Sequence, residues 1–130
     1  MKLFEQAEGL LRKAVELAPK DPESHFWLGL SLGKQGQSKG ILKSLGMVKP
    51  LMREMEVVIS LDPGHGGAHH VLGEMYRQLP GFFGGDKRKA VSELETALRL
   101  TPNYTAHYPA LAEAYLETKQ KDKAVEILKR

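Results

Sequence analysis

Three groups of residues have the types and spacings from which chemistry is built. His65 and His69 would lie one turn apart on a helix, with His70 beside them, a spacing that lets imidazoles share a metal ion. Yet His65 sits in the glycine-rich run Gly64-His65-Gly66-Gly67, and neither a cysteine nor an acidic cluster follows at ligand spacing, so no metal is expected. Gly84-Gly85-Asp86-Lys87 precedes a helical stretch, where bare amides attract anions. It lacks the longer Gly-x-x-x-x-Gly-Lys-Ser/Thr frame, and Asp86 places a carboxylate where a phosphate would sit, so it reads as a loop ending in a helix cap. Glu74, Glu113 and Glu117 offer carboxylates for acid–base work, but glutamates one turn apart read more simply as a solvated face. No Ser, His and Asp arrangement has motif support. The expectation is a chain that is not an enzyme and needs no cofactor.

The elements that carry these residues are helices. Leu3 to Ala18 places Ala7, Leu10, Leu11, Ala14 and Leu17 at helical spacing, and Lys20-Asp21-Pro22 supplies a turn and the first residue of the next helix. Ser24 to Lys34 carries Phe26, Trp27, Leu28, Leu30 and Leu32, and Gly36-Gln37 is expected to end it. From Ser38 to Leu61, Ile41, Leu45, Val48, Met52, Met55 and Ile59 step by four and three without slipping at Pro50. This predicts one long helix of about 36 Å, kinked at Pro50 but not broken. An interior proline costs about 3 kcal/mol, so burial of that stripe must exceed it. Further helices are predicted at about 68–78 and 87–100. Between them, Leu79-Pro80-Gly81-Phe82-Phe83-Gly84-Gly85-Asp86 is too rich in Gly and Pro for regular structure. Phe82 and Phe83 are expected to tuck against neighbouring helices; the alternative is an exposed anchor. Pro102 closes the last of these helices, and another begins near Thr105, with Tyr108, Leu111, Ala112 and Tyr115 on one face. Thr118 to Asp122 turns the chain into a final helix carrying Ala124, Ile127 and Leu128.

The chain repeats itself. Ten residues after Pro19, Pro63 and Pro102 come Gly29, Gly73 and Ala112, each preceded by leucine: Leu28, Leu72 and Leu111. This register resembles the tetratricopeptide repeat (TPR), in which a large residue, Leu-Gly or Leu-Ala, an aromatic, two alanines and a closing proline recur. The resemblance places His25, His69 and Tyr108 in the large slot, packed against a partner helix, and Leu32, Tyr76 and Tyr115 in the aromatic slot. Ala7, Leu11, Ala14 and Pro19 match the end of a unit lacking its first helix; Ala90, Leu94, Ala97 and Pro102 match the second helix of the middle unit. Leu51, Met55 and Val58 depart from the pattern. So do the proline intervals of 44 and 39 residues, against about 34 in the usual repeat. The two insertions, one opened by Gly40-Ile41-Leu42 and one holding Pro-Gly-Phe-Phe-Gly-Gly-Asp-Lys, are similar to the T-component lipoproteins of tripartite ATP-independent periplasmic (TRAP) transporters. They are more distantly similar to eukaryotic regulators of microtubule dynamics.

The fold implied is an all-α, right-handed TPR-like solenoid of about seven antiparallel helices. It comprises a leading helix (3–18) and repeats at 23–61, 66–100 and 105–130. The resemblance further implies that first helices line a groove, with Phe26, Leu30, Lys34, His70, Glu74, Arg77, Glu113 and Glu117 facing it, apolar at one end and acidic at the other. Such a groove suits a protein or peptide with an apolar anchor and a basic flank, and the module is expected to act as an interaction scaffold. The alternative is an accessory subunit of a periplasmic solute-transport system. Net charge of +3, with basic and acidic residues interleaved, argues against nucleic acid, and no apolar run reaches the ~18 residues of a membrane span. Absence of cysteine fits the cytoplasm, or the periplasm if a signal or lipid anchor has been removed. Leu3, Phe4, Ile127 and Leu128 are expected to be left uncovered at the ends, in a fragment of a longer protein or a homo-oligomer paired through those ends.

Overall fold

Proline and glycine positions set most helix ends. The computed structural model describes the backbone of residues 2–39 and 41–129, with side chains described except at 2, 4, 35–39 and 41–45. Among the described residues there are seven α-helices and no strand: α1 (Lys2–Leu17), α2 (Pro22–Lys39), α3 (Ile41–Leu61), α4 (Gly66–Gln78), α5 (Lys87–Leu100), α6 (His107–Glu117) and α7 (Lys121–Leu128). The expected stop at Gly36-Gln37 is not taken, and α2 runs on to Lys39. A helical glycine costs only about 1 kcal/mol relative to alanine, and no proline forces an end there. The long helix accordingly opens at Ile41, not Ser38, and passes through Pro50 unbroken.

The chain divides into two compact units, Met1–Pro63 and Gly64–Arg130. In the first, α1 packs on α2 and α2 packs on α3. The core here is Leu28 and Leu32 of α2 with Val48, Leu51, Met55 and Val58 of α3. The buried line of α3 is thus centred one residue off the expected stripe, since Met52 and Ile59 are only half-buried; Ile41 and Leu45 lie outside the described side chains. Leu51, Met55 and Val58, which break the repeat pattern, are the core. Burying each such side chain is worth about 1.5–3 kcal/mol, enough together to outweigh the proline. On α1, Leu3, Leu10 and Leu17, seven residues apart, are exposed.

In the second unit α4 packs on α5, α5 on α6 and α6 on α7, and α4 also touches α6. Val91, Leu94, Ala110, Leu111, Ala112, Ala114, Tyr115, Ala124 and Ile127 form one buried cluster. Ile127 is therefore covered, contrary to expectation, while Leu3 and Leu128 are exposed as expected and Phe4 lies outside the described side chains. The loop before α5 holds a short 3-10 turn, Gly81–Phe83. Phe82 does not tuck in: it is 89% exposed, and Phe83 is half-buried. The turn closes on its own backbone, with the Phe83 and Gly85 amides both donating to the Pro80 carbonyl and Gly84 at a φ of 100°. Gly85 lies so near the Leu79 carbonyl that a Cβ there would collide with its oxygen. Asp86 caps α5 as predicted, accepting from the Arg88 and Lys89 amides. No described helix is long and apolar enough to cross a membrane.

Candidate functional site

The three neighbouring histidines have three separate roles. His65 caps α4, its Nδ1 accepting from the Ala68 amide at 3.0 Å. His69 turns to α5, where its Nδ1 meets Glu93 Oε2 at 2.6 Å. His70 turns to α6, its Nδ1 lying 2.8 Å from Nδ1 of His107. Among the described residues no three His, Cys, Asp or Glu side chains gather in a way that would hold a metal ion.

His69 has a counterpart in the first unit. His25 Nδ1 meets Glu54 Oε2 on α3 at 2.6 Å, and its Nε2 donates to the Pro19 carbonyl at 2.7 Å. Both partners are acceptors, so the ring is best satisfied with two protons. Burial alone would push the His25 pKa down, but the Glu54 and Pro19 bonds outweigh it and the pKa is raised. Tyr108, third in this series, donates to the Pro102 carbonyl at 3.2 Å.

The polar face of α4 and α6 is organised by Arg77. Its guanidinium holds Glu74 through two bonds, of 3.1 and 3.0 Å, and reaches Glu113 at 3.1 Å and Glu117 at 2.8 Å. Lys87, from the start of α5, donates to the Arg77 carbonyl and pairs with Glu117. Burial would raise the Glu74 pKa, but Arg77 and Gln78 hold it down; Glu117 is lowered by its bonds to Lys87 and Arg77. Three carboxylates thus face two cations, leaving about one net negative charge where an acidic end was expected. Glu113 is the open member: its side chain is 59% exposed, against 30% for Glu117 and 20% for Glu74.

Of the residues expected to face a groove, Glu74, Arg77, Glu113 and Glu117 form this cluster. His70 does not face open solvent but is half-buried against His107 and Tyr104. Phe26 and Leu30 are half-buried and Lys34 exposed on α2 of the first unit, with the Phe26 ring edge-on to Trp27 at 5.5 Å. Of the repeat-packing residues, Leu28, Gly29, Leu72, Gly73, Leu111, Ala112 and Tyr115 are buried, and Tyr76 and Tyr108 half-buried. The small residue is required by proximity: a Cβ on Gly73 would lie 2.7 Å from Leu94 Cγ.

Sequence reasoning missed Glu54, Glu93 and Lys87 as partners, and missed His107 altogether. A signal for His107 existed. The position five after each closing proline is Ser24, Ala68 and His107, so a bulky polar ring stands where the other units carry a small residue.

A family model described as TRAP transporter T-component matches residues 2–128. No curated protein matches the chain. Among solved structures, the chain is similar to MamA, with a TM-score of 0.72 and 20% identity over 98% of this chain and 61% of that one. It is similar to TTC0263, a thermophilic TPR protein of Thermus thermophilus, with a TM-score of 0.71 and 26% identity over 97% of this chain and 63% of that one. A MamA RS-1 double mutant gives a TM-score of 0.73 at 19% identity, over 97% and 62%. The chain therefore spans a little over three fifths of the length of these structures, and its fold is TPR-like.

Proposed function

The chain belongs to the TRAP transporter T-component family, and from that premise we propose that it serves a solute-transport system as a non-enzymatic docking scaffold. On this reading it works in the periplasm, and its partner is a protein or peptide carrying a basic flank. The observation that supports it most is the α4–α6 face, where Arg77 fixes three glutamates and leaves the Glu113 carboxylate turned to solvent. Side chains already held by one another lose little freedom when a partner arrives, which favours specific recognition over mere solvation. Phe26 and Leu30 on α2 supply a separate half-covered apolar surface for an anchor.

The experiment is calorimetry of the full chain against a solute-binding component of a TRAP system and against a basic peptide. Binding to at least one is expected, weakened about tenfold or more by Glu113→Lys, which sets a positive charge beside Arg77. No binding to either, or binding indifferent to Glu113→Lys, would remove this reading.

A further inference from the structure

His70 and His107 play no part in the docking reading, yet they are the most constrained polar pair in the second unit. His107 is fully buried at the start of α6. Its Nε2 lies 2.6 Å from Thr101 Oγ1, and that hydroxyl also donates to the Ala97 carbonyl at 3.0 Å. A hydroxyl has one proton, and a carbonyl only accepts, so the proton goes to Ala97 and Thr101 must accept from His107 Nε2–H. Neutral His107 then has a bare Nδ1. Facing it at 2.8 Å is Nδ1 of His70, which must be the donor. The proton order is thereby fixed along the whole line: His70 Nδ1–H to His107 Nδ1, His107 Nε2–H to Thr101, Thr101 O–H to Ala97. Gly66 lets Thr101 sit close to α4, since a Cβ there would be 2.6 Å from Thr101 Oγ1. Tyr104 packs its ring edge-on to both imidazoles, at 5.9 and 4.9 Å.

We propose that His70 and His107 form a clasp between α4 and α6 that closes over a single shared proton, tolerates one more, and opens on the next. The first added proton goes to His70 Nε2, which leaves the contact intact and turns it into a cation donating to a neutral ring. The second must enter at His107 Nδ1. Two N–H groups then point at each other between two cations, and the rings separate.

The surroundings set the order. On α4, Glu74 favours a charge on His70 while Arg77 is taken up by Glu74, Glu113 and Glu117; α5 presents Thr101, with Glu93 held by His69; the turn presents Tyr104. Burial lowers the His70 pKa and Glu74 opposes it. Burial, then the charge on His70, pushes His107 down to about 4. The clasp is thus expected to be closed at neutral pH and to open in acid. It stands whether or not the docking reading does, because its test uses no partner.

Nitrogen-15 NMR of the imidazoles in the full chain, followed from about pH 7.5 to 3.5, reads the clasp directly. Expected are Nε2–H on His107 and Nδ1–H on His70 at neutral pH, His70 titrating first, and the Tyr104 ring signals moving only with the His107 step. His107 carrying its proton on Nδ1, or the two rings titrating together at the ordinary value, would overturn the proposal. His70→Gln supplies the second arm: its amide N–H still donates to His107, and on acidification its carbonyl oxygen turns to accept. With the charge at position 70 gone and an acceptor in its place, His107 takes its proton more readily, so the Tyr104 step should then vanish or move to about tenfold lower proton concentration. An unmoved Tyr104 midpoint counts against the clasp.

Discussion

Six residues after two of its closing prolines, the chain places a side chain that reaches back to the proline carbonyl: His25 to Pro19 and Tyr108 to Pro102. The two contacts are unequal. His25 is largely buried and also binds Glu54, whereas the Tyr108 bond is exposed and, at 3.2 Å, long. Replacing His25 by Phe strands two acceptors and is expected to cost about 1–3 kcal/mol, while Tyr108→Phe costs about 0.5–1 kcal/mol; urea unfolding of the two variants ranks them. The position of these side chains was legible, because the repeat register places a large residue six after each proline. What their polar atoms meet was not. Glu54 lies 29 residues from His25 and Glu93 lies 24 from His69, so the pairing depends on how two helices face each other and not on any local spacing. The register singles out His107 but hides its partners for the same reason: Thr101 and His70 reach it from across a turn and from another helix.

Glycines decide how closely the helices approach, and their neighbours differ in how far they can give way. At Gly29 a new Cβ would meet the terminal methyl of Met55, which can swing aside. At Gly73 it would meet the branch point of Leu94, which is fully buried and cannot. At Gly85 it would strike the Leu79 backbone. Alanine is therefore expected to cost less than about 1 kcal/mol at Gly29, about 1–3 at Gly73 and more than either at Gly85, read by denaturant unfolding of the three variants. Helix identity and order were legible from periodicity, and so was the passage of α3 through Pro50, since a phase that survives a proline marks one helix. The end of α2 was not, because two glycines and a polar run look like a stop when neighbouring contacts are unknown. The Phe82 loop was misjudged on hydrophobicity alone. Its closure is set by backbone bonds to Pro80 that no side-chain pattern advertises.

The two units carry opposite responses to acid. In Met1–Pro63 the raised pKa of His25 adds stability that is full below the unfolded value of 6.5 and fades as pH rises through the folded value. In Gly64–Arg130 the lowered pKa values of His70 and His107 act the other way: their contribution is full above 6.5 and is lost as pH falls towards about 4. On going from about pH 7.5 to 5.5, amide exchange corrected for intrinsic rate should slow in α2 and α3 and quicken in α4 and α6. A uniform change along the chain would contradict these assignments.

The indole and the phenols happen to be sorted along the same boundary. Trp27 is the lone indole and sits in the first unit, while all four tyrosines, 76, 104, 108 and 115, belong to the second. Light at the red edge of protein absorption excites the indole alone, and its half-exposed ring reports the environment of α2; phenol absorbance reports α4 and α6. The unmodified protein is thus already a two-colour sensor, and one unlabelled sample is enough to tell which half melts first.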